Sequence, residues 1–93
     1  MDFNRFIGID ISKATLDLSQ LTIDGAEIVH DVCANNCKDI TATLKALISD
    51  SKGKILICAE HTGMYCYPLI KACHQPKLAL WLENPLTIKS AQD

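Results

Sequence analysis

Two apolar stretches decide the fold of this chain: residues 6–13, which read FIGIDISK, and residues 55–63, which read ILICAEHTG. Each pattern predicts a β-strand with one carboxylate near its end, Asp10 in the first and Glu60 in the second, followed by turn-forming or helix-starting residues. An ionised carboxylate beside a buried strand is costly unless another group compensates its charge. Two such carboxylates on neighbouring strands are most economically compensated by one shared cation.

The rest of the chain alternates between the same two kinds of pattern. Asp24-Gly25 predicts a hairpin turn, and a slip in the apolar phase after Leu18 predicts a bulge near Ser19-Gln20. Gly8 predicts a close approach to its neighbours. Asn35 or Asn36 can cap the first helix. The pattern predicts strands at residues 5–12, 14–23, 27–35, 54–59 and 77–82, and helices at residues 37–50, 64–74 and from about 86. The strand at 54–59 is fully apolar after Lys54, a pattern that predicts burial on both faces of the sheet.

The predicted fold class is α/β. Three antiparallel strands followed by right-handed βαβ crossovers give a mixed five-stranded sheet with flanking helices, which is the arrangement of the ribonuclease H-like fold. In that fold the first strand lies beside the fourth, about 4.8 Å away, so we expect Asp10 and Glu60 to be neighbours. No capping signal follows the last predicted helix before Asp93, and we expect residues 1–93 to be a single, C-terminally truncated domain.

Composition narrows the class of protein. The chain has 93 residues, a net charge of −2 and a charged fraction of 22%, which argues against disorder. It has no apolar run of the roughly 20 residues that span a bilayer and no visible secretory signal, so we expect a cytoplasmic protein. A protein that grips nucleic acid by neutralising phosphates is usually basic. If the protein acts on nucleic acid, most of the electrostatic attraction must therefore come from outside this chain.

Five cysteines occur without a CxxC pair, which favours free thiols in a reducing compartment. Cys33 and Cys37 with His30 match no common zinc spacing, and a fourth ligand is not apparent. We therefore expect these side chains to be structural.

The two strand-end carboxylates suit Mg²⁺ or Mn²⁺, which prefer hard oxygen ligands. Two such ions about 3.5–4 Å apart drive phosphodiester cleavage, but that chemistry usually needs three or four carboxylates. A structural role is also open: Asp10 can accept hydrogen bonds from the turn after it, and Glu60 can interact with the helix N-terminus that follows. The residues alone leave both interpretations open.

Other polar residues carry weaker signals. Lys13 is either a phosphate contact or a solvated turn lysine. Asp17 is predicted to be a surface charge. Glu83, at the end of the fifth strand, could reach the same edge of the sheet as Asp10 and Glu60, but capping of the helix or loop after it is favoured. The aromatic side chains are too few and scattered for a base-stacking platform, so we expect them to serve in packing: Tyr65, Tyr67 and Trp81.

Three strings together carry a resemblance to a known family. They are GIDISK at residues 8–13, EHTGMY at residues 60–65 with Pro68-Leu69 after it, and ENP at residues 83–85 running on to Lys89. The chain resembles the N-terminal RuvC-like domain of DEDD transposases of the insertion-sequence one-ten family, which includes the pilin-gene-inverting recombinases. Members of that family more often carry Ala where His61 stands.

The resemblance implies a catalytic domain that binds Mg²⁺ through a D-E-D-D tetrad. Asp10 matches the first acid and Glu60 the second. Two further aspartates normally follow within a K-x-D-x-x-D-A string, just beyond the last residue of this chain. The family also carries a separate C-terminal domain with a catalytic serine, and it uses a structured non-coding RNA to select donor and target DNA.

We therefore expect an N-terminal fragment of a DNA transposase, or site-specific recombinase, of a bacterial mobile element. We expect it to be homo-oligomeric in the full-length protein, to have DNA and RNA partners, and to be inactive alone because half the tetrad is missing. Two alternatives remain. An actin-like or sugar-kinase-type ATPase also begins with a strand carrying G-x-D, and the domain could be a non-catalytic dimerisation module.

Overall fold

The computed structural model describes residues 3–48, 54–74 and 76–83. The predicted order of elements is confirmed through the fifth strand, and the helix predicted from residue 86 lies outside the described residues. A 3₁₀ turn at Gly63–Cys66 precedes the second helix. The other elements are β1 (Phe3–Ile11), β2 (Thr15–Thr22), β3 (Glu27–Ala34), α1 (Cys37–Ile48), β4 (Lys54–Glu60), α2 (Tyr67–His74) and β5 (Ala79–Glu83).

The five strands form one mixed sheet in the order β3-β2-β1-β4-β5. β1 pairs antiparallel with β2, and β2 pairs antiparallel with β3, so the predicted meander is confirmed. β4 pairs parallel with both β1 and β5. The predicted adjacency of the first and fourth strands is therefore confirmed, and both strands lie in the interior of the sheet.

The core lies on one side of the sheet, against both helices. Alternate strand residues face this side, and they pack on apolar side chains of α1 and α2. Burial of each such side chain stabilises the fold by roughly 1.5–3 kcal/mol relative to exposure. The buried strand residues are Ile7, Ile9, Leu16, Leu18, Ile57 and Ala59, and the helix residues are Ile40, Leu44, Leu69, Ala72 and Cys73.

The other side of the sheet, called here the open face, is not covered by either described helix. The prediction that β4 is buried on both faces is therefore wrong for the described residues. Its inward side chains Ile57 and Ala59 are buried, whereas Leu56 and Cys58 on the open face are only half-buried. A fully apolar strand did not in this case indicate two covered faces.

The predicted bulge in β2 is misplaced. The register between β1 and β2 is continuous from Arg5–Thr22 to Ile11–Leu16. The irregularity lies instead in the β2–β3 pairing, where Gln20 pairs with Val29 and Leu21 with Glu27. Because the strand keeps its two-residue period, a polar residue takes the next inward position, and Gln20 is 2% exposed.

Hydrogen bonds satisfy the buried amide of Gln20 at the edge of the core. With the amide oriented so that each end faces a suitable partner, its oxygen accepts from the Arg5 guanidinium at 2.9 Å and its nitrogen donates to the Leu47 carbonyl oxygen at 3.2 Å. Leu47 lies in the last turn of α1, where carbonyl groups lack helical partners. Gln20 therefore joins β1 and β2 to the end of the first helix.

Local signals account for the turns and helix ends. The Asp24-Gly25 turn is confirmed, with Gly25 at φ +89° and its N–H donating to the Thr22 carbonyl at 3.0 Å. Asn36 caps α1, since its Oδ1 accepts from the Asp39 N–H at 2.8 Å. Pro68 is the second residue of α2, where it removes no helical hydrogen bond. No helix in the described part of the chain is long and apolar enough to cross a bilayer.

Candidate functional site

Asp10 and Glu60 end neighbouring parallel strands. The last registered pair of β1 and β4 is Ile9 with Ala59, both buried, and each is followed directly by an exposed acidic residue. Successive side chains of a strand point to opposite faces, so the two carboxylates leave the sheet together on the open face. The spacing of adjacent strands is about 4.8 Å. The geometry brings together the two residues that the sequence singled out.

Two more acidic residues extend this pair into a row across four strands. Asp17 of β2 lies directly opposite Asp10, and Glu83 of β5 is registered with Glu60. The row therefore runs Asp17, Asp10, Glu60, Glu83, over roughly 14 Å at the spacing of adjacent strands. A straight row brings carboxylates together in pairs. Accordingly, no group of three or more His, Cys, Asp or Glu side chains among the described residues is placed to hold a metal ion.

A shallow depression of about 670 Å³ lies on the open face beside the Asp10–Glu60 pair. Gly8 lines it, and apart from the two adjoining residues of the chain no described atom lies within 4 Å of the place where a Cβ of Gly8 would stand. The predicted close approach at Gly8 is thus wrong for the described part of the molecule, and the glycine leaves open space between the strands. The depression is lined by Gly8, Ile9, Asp10, Asp17, Ser19, His30 and Glu60.

Asp17 is exposed, as predicted, but its place in this depression was missed. His30 of β3 lies beside it, with Nε2 3.4 Å from Asp17 Oδ1. The other ring nitrogen of His30 is 3.4 Å from Glu27 Oε1 and 3.3 Å from Ser19 Oγ. The hairpin turn at Asp24-Gly25 and strand alternation alone would pair His30 with core-facing Leu18. The register shift between Gln20 and Leu21 instead places His30 opposite Ser19, on the face that carries Asp17.

The capping role predicted for Glu83 concerns the chain after it, which lies outside the described residues. The backbone carbonyl of Glu83 accepts a hydrogen bond from the His61 N–H at 2.7 Å, and its side chain occupies the register position beside Glu60. This bond ties the end of β5 to the first residue after β4. His61 itself is exposed, and its Nδ1 accepts from the Gly63 N–H at 3.4 Å.

Lys13 lies exposed in the turn between β1 and β2. This turn is held by Ser12, whose N–H and hydroxyl both donate to the Thr15 carbonyl, at 2.9 and 2.8 Å. No described contact tests the phosphate contact predicted for Lys13, so it stays a prediction. Lys13 follows Asp10 by three residues in the chain.

The packing role predicted for the aromatic residues is wrong for the described structure. Trp81 is 57% exposed, Tyr67 60% and Tyr65 39%. Trp81 is registered with Cys58 on the open face, which neither helix covers. The strand alternation of β5 put an aromatic residue on this face because its inward positions are taken by Leu80 and Leu82.

Asn35 is the residue that sequence reasoning missed in this region. Its Nδ2 donates to the Ser12 carbonyl at 2.8 Å and to the Tyr65 carbonyl at 2.9 Å. Ser12 is in the turn after Asp10, and Tyr65 is in the 3₁₀ turn after Glu60. The sequence offered Asn35 and Asn36 equally as helix caps. The structure assigns the cap to Asn36 and uses Asn35 to join two turns.

The donor set fits part of a hard-cation site. Asp10 and Glu60 supply exposed carboxylate oxygens, the ligand type that Mg²⁺ and Mn²⁺ prefer. The nearby thiol of Cys58 is a poorer ligand, because burial raises its pKa and keeps it protonated at neutral pH. The two carboxylates could hold such an ion only with further ligands beyond those described here.

Comparison with known proteins gives a family match and a structural likeness. The family model of DEDD transposases of the IS110 type, described as "Transposase", matches residues 7–93. No curated protein matches the chain. A solved structure similar to the chain is a ROK family protein from Streptococcus pneumoniae TIGR4 in complex with sucrose, with a TM-score of 0.57 and 20% identity. The likeness covers 86% of this chain and 34% of that one, so the chain spans about a third of that protein's length. At this identity the likeness shows the fold alone.

Proposed function

The chain belongs to the IS110-type DEDD transposase family, and from this premise we propose that the full-length protein cuts and rejoins DNA at a divalent-metal site containing Asp10 and Glu60. The observation that carries the proposal is the parallel β1–β4 register, in which Ile9 pairs with Ala59 and an acid follows each residue. Two further aspartates, encoded beyond residue 93, complete the set. Residues 1–93 then form the N-terminal part of a RuvC-like domain with a ribonuclease H-like fold. The strand order β3-β2-β1-β4-β5 supports that assignment.

In this proposal Asp10 and Glu60 bind Mg²⁺ or Mn²⁺ as hard oxygen ligands. A bound ion of this kind activates a nucleophile and stabilises the leaving oxygen of a phosphodiester. The two side chains contribute position as well as charge, since they leave adjacent strands in the rigid interior of the sheet. The open face leaves room beside them, over Gly8, for a DNA strand to approach.

The family and the charge of this domain support a proposal for the partners. DNA is the substrate, a structured RNA selects the sites, and a serine-bearing domain elsewhere in the full-length protein takes part in strand exchange. Because this chain has a net charge of −2, most of the grip on DNA phosphates comes from other parts of a homo-oligomer. Lys13 is the described cation nearest in sequence to the pair and is proposed to contact a phosphate. The protein acts on the bacterial chromosome in the cytoplasm.

The test is strand exchange by the full-length protein with its RNA in Mg²⁺. Asp10→Asn and Glu60→Gln should each lower the rate roughly 100-fold or more, the scale of removing one group that stabilises transition-state charge. Asp31→Asn and Glu27→Gln are matched controls, because they make the same chemical changes on β3, at the far edge of the sheet. Full activity of Asp10→Asn or Glu60→Gln would defeat the proposal. The 93-residue chain alone should be inactive.

The two alternative functions, an ATPase and a dimerisation module, predict different experimental results. Saturable ATP binding by the full-length protein without DNA would favour an ATPase. If the wild-type protein has no strand-exchange activity, and the double variant Asp10→Asn, Glu60→Gln forms the same oligomer as wild type, a dimerisation module is favoured.

A further inference from the structure

Each proposed metal ligand is registered with a residue of its outer neighbouring strand, but the β1–β4 pairing does not join the two ligands directly to each other. The registered β1–β4 pairs end at Ile9 and Ala59, so Asp10 and Glu60 lie one residue beyond the last pair. Strand ends fray more easily than strand centres because they lack a partner on one side. The distance between the two carboxylates therefore depends on whatever holds the chain just after each strand.

One side chain contacts the chain that follows both strands. Asn35 Nδ2 carries two N–H groups, and they donate to the carbonyl oxygens of Ser12 and Tyr65, at 2.8 and 2.9 Å. Ser12 comes two residues after Asp10, and Tyr65 five residues after Glu60. The single amide thus ties together the turns that follow the two acid-bearing strands.

The orientation of this amide follows from its surroundings. Two carbonyl oxygens face one end of the Asn35 amide, and only the nitrogen end can donate to both. The other end, Oδ1, is buried and has no hydrogen-bond partner among the described residues. With the amide reversed, Asn35 would place its oxygen against two other oxygens.

The backbone of Asn35 is itself anchored on both sides. Its N–H donates to the Ala14 carbonyl at 2.9 Å, which continues the β2–β3 pairing past Thr15 and Ala34. The next residue, Asn36, is fixed as the cap of α1. Asn35 is therefore a rigid point between strand and helix, from which its side chain reaches across to two turns.

We propose that Asn35 is a positioning residue that sets the separation of Asp10 and Glu60 by tying together the turns that follow them. Its effect on metal binding rests on the proposed function. Each turn has hydrogen bonds of its own, such as Ser12 N–H to the Thr15 carbonyl and His61 N–H to the Glu83 carbonyl, and the Asn35 amide joins one turn to the other. The hydrogen bonds of Asn35 order the two ligands before the metal ion binds, so binding does not bear the free-energy cost of ordering them. Residues that hydrogen-bond around metal ligands have this effect in other proteins.

The tie is tested first without metal, by a distance measurement in the full-length protein. Spin labels on non-natural amino acids replace exposed Lys13 and Met64, one residue from each carbonyl that Asn35 binds. Asn35→Asp has nearly the same shape but cannot donate to either carbonyl, so the distance distribution should broaden. Asn36→Asp is the matched control, since it adds the same charge one residue away and keeps a capping oxygen. Asn35→Ser, which retains one donor with a shorter reach, should be intermediate and serves if Asn35→Asp does not fold.

Metal affinity is the second readout, with Mn²⁺ as the probe and titration calorimetry as the measurement. Asn35→Asp should bind Mn²⁺ about 10- to 100-fold more weakly than wild type, and Asn36→Asp should bind as wild type does. At saturating metal, strand exchange by Asn35→Asp should return towards the wild-type rate, which a general loss of folding would not allow.

The outcomes separate the two proposals. Asn35 variants with the same distance distribution as Asn36→Asp would overturn the positioning role. So would a broadened distribution with unchanged Mn²⁺ affinity, if Asp10→Asn does weaken binding. If neither Asp10→Asn nor Glu60→Gln alters Mn²⁺ affinity, the proposed metal site fails, and the distance measurement still decides whether Asn35 ties the turns.

Discussion

Asp10 and Asp17 stand directly opposite each other across the antiparallel β1–β2 pair, both exposed on the open face of the sheet. Like charges in directly opposite positions of a strand pair destabilise the sheet. His30 lies 3.4 Å from Asp17 and offsets part of the repulsion when it is protonated. The repulsion between Asp10 and Asp17 therefore lowers the stability of the sheet at the place where a cation is proposed to bind.

Removing the charge of Asp17 should therefore stabilise the metal-free protein. We expect Asp17→Asn to raise the free energy of unfolding by about 0.2–1 kcal/mol, measured by urea denaturation in the presence of a chelator. Asp31→Asn is the control, because it removes an equal charge from β3, where the registered partner is apolar Leu18. Equal gains in both variants would mean that the repulsion across β1 and β2 is not the cause.

The two glycines near the site should respond differently to alanine. Gly63 has φ +66°, a conformation that costs other residues roughly 1–2 kcal/mol, so Gly63→Ala should lower the free energy of unfolding by about 1 kcal/mol. Gly63→Asn should cost less, since Asn tolerates this region best after Gly. Gly8 is in a strand with open space around its Cα, so Gly8→Ala should leave stability unchanged or slightly higher. A large loss in Gly8→Ala would show that other parts of the protein fill that space.

Gln20 should be more important for stability than its polar character suggests. Gln20→Ala removes hydrogen bonds to Arg5 and to the Leu47 carbonyl and leaves a cavity at the edge of the core. We expect a loss of about 1–3 kcal/mol in the free energy of unfolding, measured by denaturant titration. Ser19→Ala, at the neighbouring open-face position, should change stability far less. A Gln20→Ala protein as stable as wild type would contradict the buried placement.

Cys73 should make the protein sensitive to alkaline pH. Burial raises the pKa of its thiol to about 11, from an ordinary value of 9.0. The unfolded chain releases this proton at lower pH than the folded one does. The stabilisation is therefore complete below pH 9 and is lost as the pH rises towards 11, by up to about 2–3 kcal/mol.

The measurement is the urea midpoint at several values between pH 8 and pH 11, for wild type and Cys73→Ala. Other groups titrate in this range in both proteins, so the difference between the two pH profiles isolates Cys73. Parallel profiles would contradict the prediction. Iodoacetamide at pH 8 should likewise modify Cys73 only after unfolding.

The order of elements could be predicted from the sequence because its signals are local. Strand alternation, the Asp24-Gly25 turn, the Asn cap and the break after His74 each depend on residues within a few positions of one another. The same local logic went wrong where burial depends on what covers a face. An apolar strand, β4, was taken as covered on both sides, and Trp81 was assigned to packing, because residue pattern alone does not say where a helix lies.

By itself, the sequence determined which residues are candidates: two acids at the ends of apolar strands, in strings typical of one family. Only the tertiary structure decided which residues lie beside these two acids. The register of β1 with β2 and β4 put Asp17 and Glu60 beside Asp10, and the folding of β3 against β2 brought Asn35 to two turns 23 and 30 residues away. Hydrogen bonds between residues so far apart in the chain produce no periodic pattern in the sequence. They depend on how whole strands pair, which is set by the packing of the core.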